Sequence, residues 1–207
     1  MQKERVTLQP LLETMPLISA NRKRAEEAFG VGRFHQIEHE TAGPLGNCYW
    51  NVDQFVSQNG GAMAIGWQIL QWPKLFIVAI HHAVWKARDA RLIDLTEKYR
   101  TDKRPYSTFA IDDSIQISLH SPILIENRYL VLSQAPEVRK YIELDRTQLA
   151  IRRRLLTVAI EQGAVWEPGK GLGMRPDLAD RLRPDLDMFA TSRKEMGDAI
   201  KACATLR

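Results

Sequence analysis

Apolar positions along this chain change their spacing twice, and each change marks a change of element. Leu8, Leu11, Leu12 and Met15 recur at helical spacing, Ser19 offers a cap and Gly30 a stop, so residues 6 to 29 read as helical, divided by Pro10 and Pro16. Glycines and a proline then punctuate 31–47, which reads as loop with one short element. From Cys48 to about Gln58 the residues Cys48, Val52, Phe55 and Val56 form a stripe at spacings of three and four. Asn47 can cap that helix, and "NGG" at 59–61 ends it, because Asn and Gly tolerate the left-handed conformation that a helix end demands.

The period then becomes two. "AMAIGWQIL" (62–70), "KLFIVAIHHAVW" (74–85) and "RLIDL" (91–95) are β-branched and aromatic runs, and they read as an antiparallel meander. A polar connection over 96–114 leads to "IQISLHSPILIENRYLVLS", whose second half reads as a hairpin turning near Glu126, Asn127 and Arg128. About five strands result. After Pro136 the helical period returns, with Leu144, Leu149, Leu155, Leu156 and Ile160 along one side to about Gln162; 167–177 reads as a flexible joint and 185–206 as a last helix.

The pattern predicts an α+β protein: a core over 1–136 with N-terminal helices, and a helical extension over 137–207 packed on it. A chain of 207 residues can bury a core without disulfides or metal. Cys48 and Cys203 lie far apart, with neither a CxxC pair nor zinc spacing, which suggests a reducing compartment. The first residues are too charged for a signal peptide and no run approaches a membrane span, so the expected place is the cytoplasm, with export lacking a cleavable signal left open. With 29 Lys plus Arg against 25 Asp plus Glu the net charge is +4. Its excess lies in short runs such as "NRKR" (21–24) and "RRR" (152–154), which read as solvated helical faces, the latter with an acidic partner as the alternative; nucleic acid is not expected as a partner, nor is a membrane.

Candidate chemistry centres on His82 and Asp94. If Lys86 and Ala90 flank a three-residue loop, 84 pairs with 92 and 82 with 94, and the two side chains stand opposite each other on one face, close enough to hydrogen-bond. Any even register keeps them together. A carboxylate that orients an imidazole prepares it to take a proton, and Cys48 can supply that proton at the first turn of a helix, where unpaired N–H groups favour a thiolate or an oxyanion. His81 points to the other face and reads as a surface or structural residue. Gly66-Trp67 reads as close sheet-to-helix packing, and Trp50, Trp72 and Trp85 as core or rim aromatics.

"GNCYW" resembles the Gly-x-Cys-aromatic segment that opens the nucleophile helix of papain-like, transglutaminase-like and NlpC/P60-like enzymes, and the order Cys, His, Asp is similar. More closely, Cys48, Asn51, Val52, Gly60-Gly61, Gly66-Trp67, "HAVW" (82–85) and "DLT" (94–96) resemble an uncharacterised bacterial group with the pattern C-x-x-N-V, GG, GW, HAVW and D-x-T. The resemblance covers 46–96. It implies a papain/NlpC-like fold, with the nucleophile helix packed on an antiparallel sheet, and a thiol-dependent hydrolase or acyl transferase in which Cys48 attacks, His82 is the base and Asp94 orients it. Two positions depart from it: Tyr49 stands where that group carries His, and no acidic residue precedes the histidine. Asn47, Tyr49, Asn51 and Trp67 are candidates to line the site or hold an oxyanion. The expected substrate carries an amide or peptide bond, on a protein or a smaller molecule, and no cofactor is expected.

Two other readings stand beside this one. The same scaffold could serve a non-enzymatic effector or inhibitor that docks to another protein. "HQIEH" (35–39) matches the H-x-x-E-H pattern of a class of zinc hydrolases, in which a helix sets His35 and His39 on one face. "GKGLG" (169–173) lacks the GK[ST] that phosphate binding requires. Oligomeric state is not legible.

Overall fold

A computed structural model describes residues 9–167, 171–173 and 176–206. In chain order its elements are β1 (Glu13–Thr14), α1 (Arg22–Phe29), β2 (His35–Gly43), α2 (Cys48–Asn59), β3 (Ala62–Trp72), β4 (Phe76–Lys86), β5 (Leu92–Thr96), β6 (Tyr106–Ile111), β7 (Arg128–Val131), α3 (Pro136–Glu161), β8 (Val165–Glu167), β9 (Gly171–Gly173), α4 (Pro176–Arg181) and α5 (Arg183–Ala204). The chain is α+β.

The hairpin of β3 and β4, paired along its whole length from Ala62↔Lys86 to Trp72↔Phe76, organises everything else. At one end β3 pairs with β6, β6 with β2, β2 with β5, and β5 with β4 again, which closes five strands into a barrel. Neighbours run antiparallel except β2 and β5, which are parallel. At the other end β1 joins β3 and β7 joins β4, extending the sheet beyond the barrel. Closure removes open edges around the barrel and makes each strand alternate between interior and exterior. Ile37, Val84 and Phe109 fill the interior.

Past the barrel the same alternation serves two layers. Leu70, Trp72, Phe76 and Val78 form one core with Val138, Tyr141 and Ile142 of α3 and Ala199, Ile200 and Cys203 of α5. Trp67, Ile69, Ile77 and Ala79 form another with Ala25 and Phe29 of α1. The two C-terminal helices therefore share a core with the sheet. At roughly 1.5–3 kcal/mol for each large apolar side chain buried, these layers supply most of the drive to fold.

Several expectations need correction. Residues 9–21 are not helical: Pro10 and Pro16 interrupt the chain, Glu13 and Thr14 pair with β3, and only α1 is helix; Leu8 lies outside the described residues. The stretch 31–47 holds the nine-residue strand β2, whose polar side chains hide it from an apolar count although both its edges are paired. The polar connection 96–114 contains β6, and the hairpin expected in the second half of 115–133 is a single strand, β7, preceded by irregular chain. The joint at 167–177 contains β9 and the start of α4, with 168–170 and 174–175 outside the described residues. No helix among the described residues is long and apolar enough to cross a membrane.

Candidate active site

His82 lies in β4, directly paired with Gly66 of β3, and its side chain faces the barrel interior. Asp94 lies in β5. The observed register pairs Trp85 with Ile93 and Lys86 with Leu92, and the turn closes with the Ala87 N–H donating to the Arg91 carbonyl oxygen at 2.9 Å. The loop is thus one position later than the sequence reading placed it, which shifts the pairing by two residues. His82 and Asp94 are diagonal rather than opposite. Because the shift is even, both still face inward, and His82 Nε2 donates to Asp94 Oδ1 at 2.9 Å. Ala90, at φ 68°, holds the left-handed position of that turn.

Asp94 is fully buried, and three donors besides His82 meet its carboxylate. Oδ1 also accepts from the Thr96 N–H at 3.1 Å, while Oδ2 accepts from Ser107 Oγ at 2.7 Å and Gln68 Nε2 at 3.2 Å. Burial alone would raise its pKa, but the His82 charge and the donated hydrogen bonds hold it down at about 2. For His82 burial lowers the pKa, yet the charge of the Asp94 carboxylate and its hydrogen bond, with a further contribution from Cys48, lift it to about 10. With Nε2 engaged by Asp94, Nδ1 is the nitrogen free to face the thiol.

Cys48 approaches the strand that carries this ring from the outer side of the barrel wall, in the same apolar cluster as Ala83, the residue next to His82. It opens α2, whose packing cluster of Tyr49, Val52, Ala83, Ile93 and Leu95 lies on the exterior. Along the β4 edge, β7 pairs with 76–79 and β5 with 85–86, so the stretch around His81 and His82 lies between the two pairings. The head of α2 sits at this seam, where an interior histidine and an exterior cysteine can meet. Asn51 fixes the approach: its Nδ2 donates to the Pro44 carbonyl oxygen at 3.0 Å and to Thr96 Oγ1 at 3.1 Å, tying the turn before α2 to the end of β5. A Cβ on Gly43 at the end of β2 would lie 2.2 Å from Asn51 Oδ1, so a larger residue there would displace this brace.

The other expected site residues separate. Asn47 is exposed at the N-cap and makes no side-chain capping bond, which leaves the first-turn N–H groups uncapped by it. Asn51 is a brace, not an oxyanion donor. Trp67 faces the exterior, donates from Nε1 to Asp112 Oδ2 at 2.9 Å, and lies under Arg128 and beside His81. Gly66 serves strand packing rather than helix packing: a Cβ there would lie 2.0 Å from the Ala110 carbonyl oxygen of β6. His81 is not a surface residue. It is buried, and Tyr49 Oη hydrogen-bonds its Nδ1.

The zinc reading fails on local geometry. His35 and His39 lie in strand β2, where four residues span about 13 Å. His39 Nε2 instead hydrogen-bonds the Thr96 carbonyl oxygen at 3.0 Å. Among the described residues no group of three or more His, Cys, Asp and Glu is placed to hold a metal ion.

Gln68 and Ser107 escaped the sequence reading, while Thr96 entered it only as the end of the D-x-T pattern. Gln68 left a signal, being the one strongly polar residue within "AIGWQIL"; Ser107 left none, since its strand was read as a connection. Beside the head of α2 a cavity of about 250 Å³ is walled by Gly46, Tyr49, Trp50, His81, Ile123 and Arg152, among others. In comparisons with protein-family models, with curated proteins and with solved structures, nothing matches this chain.

Proposed function

We propose that the protein is a thiol-dependent hydrolase or acyl transferase of papain/NlpC-like type, acting on an amide or peptide bond. The observation that carries this reading is a buried imidazole held by a carboxylate at 2.9 Å from Nε2, on a strand against which the helix opened by Cys48 packs. Papain-like assignment rests on the resemblance around Cys48 and on a nucleophile helix packed against strands that carry His and Asp.

In this mechanism the raised basicity of His82 draws the proton from Cys48, giving a thiolate and imidazolium pair. The thiolate attacks the carbonyl carbon. Charge on the carbonyl oxygen is met by first-turn N–H groups of α2, chiefly that of Cys48. His82 returns the proton to the leaving amine, and water or another amine resolves the thioester. Asp94 stays ionised and holds the ring.

One observation favours the alternative of a non-catalytic docking protein: Cys48 is 7% exposed, within an apolar cluster against which Ile117, Leu119 and Ile123 pack. Iodoacetamide labelling separates the two. An enzyme should alkylate at Cys48 well below pH 8, and His82→Ala should move the rate profile to that of an ordinary thiol, near pH 8.5. Labelling that is equally slow in both proteins would defeat the thiol-enzyme reading.

A further inference from the structure

The cavity beside the head of α2 has a polar wall that the proposed reaction does not use. His81, 8% exposed, and Trp50 both line it. His81 Nε2 and Trp50 Nε1 are buried and have no hydrogen-bond partner among the described residues. A buried polar atom without a partner costs roughly 1–3 kcal/mol, so two together suggest a place where a ligand completes the bonding.

Chemistry fixes what these atoms offer. Tyr49 is kept protonated, because burial pushes its pKa up, and His81 is its one recorded partner. A buried phenol with a single partner places its O–H there, so Tyr49 donates to Nδ1. His81 stays neutral, its pKa pushed by burial down to about 4 against the opposing charge of Asp112. Nε2 therefore carries the remaining hydrogen and is a donor. Trp50 Nε1 can only donate. Arg152 of α3 adds a guanidinium at the wall, no Asp or Glu lines the cavity among the described residues, and Ile80, Ile123 and Leu156 supply an apolar lining.

We propose that this cavity receives the acidic side chain, a glutamate or an aspartate, of the acyl substrate: the carboxylate meets His81, Trp50 and Arg152 while its methylenes lie against the apolar lining. This rests on the thiol-enzyme reading above and adds a substrate class to it. A volume of about 250 Å³ suits one such side chain with part of its backbone. Lysine would bring a charge that no lining carboxylate answers, and leucine would leave the donors unmet.

Two measurements separate failure of the pocket from failure of the nucleophile. In the first, full-length Cys48→Ala is titrated with N-acetyl-glutamyl methylamide and with its glutaminyl counterpart, following the Trp50 indole resonance assigned through Trp50→Phe. The glutamyl ligand should shift that resonance and bind about fivefold or more tightly than the amide, with the preference lost in Arg152→Gln. Equal binding, no shift at millimolar ligand, or a preference that survives Arg152→Gln overturns the pocket. In the second, wild-type protein is labelled with chloromethyl ketones carrying Glu or Gln, beside iodoacetamide. Cys48 that reacts with iodoacetamide but shows no Glu preference also overturns the pocket and leaves the nucleophile standing; Cys48 that resists iodoacetamide defeats the nucleophile, and the titration alone then decides the pocket.

Discussion

His81 and His82 are neighbours in one strand, yet their surroundings drive them in opposite directions. His82 faces the barrel interior, meets the Asp94 carboxylate and is lifted to about 10. His81 faces the exterior, meets a phenol and no carboxylate in contact, and is pressed by burial to about 4. A step of one residue along a strand changes the face, and with it whether burial or a charged partner wins. Both rings are buried, so burial does not separate them. What differs is the acid.

Removing that acid should break the comparison most severely. Asp94→Ala leaves His82, Gln68, Ser107 and the Thr96 N–H without their buried acceptor, and a loss of about 3–5 kcal/mol is expected in urea denaturation. A cost below about 1 kcal/mol would mean that the carboxylate is not the centre of this network.

A pH series of such denaturations should show the two histidines acting with opposite sign. His81, depressed from its ordinary 6.5 to about 4, contributes stability that is complete above pH 6.5 and is lost as pH falls toward 4, an effect of about 3 kcal/mol. His82, raised from 6.5 to about 10, contributes stability that is complete below pH 6.5 and is lost as pH rises through 10. Asp94, lowered from 3.8 to about 2, adds a further loss below pH 4. The maximum should therefore lie near pH 6.5, and a flat profile between 4 and 6.5 would contradict the account of His81.

Tyr49→Phe sharpens the comparison with a smaller change. It removes the one recorded donor to His81 Nδ1, at a cost of about 1–2 kcal/mol, and frees that ring to take a proton more readily. Imidazole titration by NMR should show the His81 pKa rising while His82 keeps its own. An effect of similar size is expected at Asn51→Ala, about 1–2 kcal/mol for two lost hydrogen bonds, with iodoacetamide labelling of Cys48 slowed because the turn that aims α2 is loosened.

How much of this was legible in the chain depends on the range of the interaction involved. The helix from Cys48, its end at Asn59 and the strands β3, β4 and β5 follow from local spacing and turn residues, and the structure has them within two residues of their expected bounds. Strand β2 was not legible: only Ile37 among its residues is a buried apolar side chain, and its conformation is fixed by ladders to β5 and β6. Ser107 was hidden for the same reason, and the burial of His81 depended on α2 and a cavity wall built from α3.

The sequence by itself determined which face of each strand carries His82 and Asp94, because side chains alternate with a period of two and any even register preserves that parity. Tertiary structure decided the rest: that the strands close into a barrel, that the acid and imidazole meet diagonally inside it, and that the helix opened by the cysteine packs on the outer layer beside the strand that carries them. Those outcomes depend on contacts between residues far apart in the chain, and local spacing carries no record of such distances.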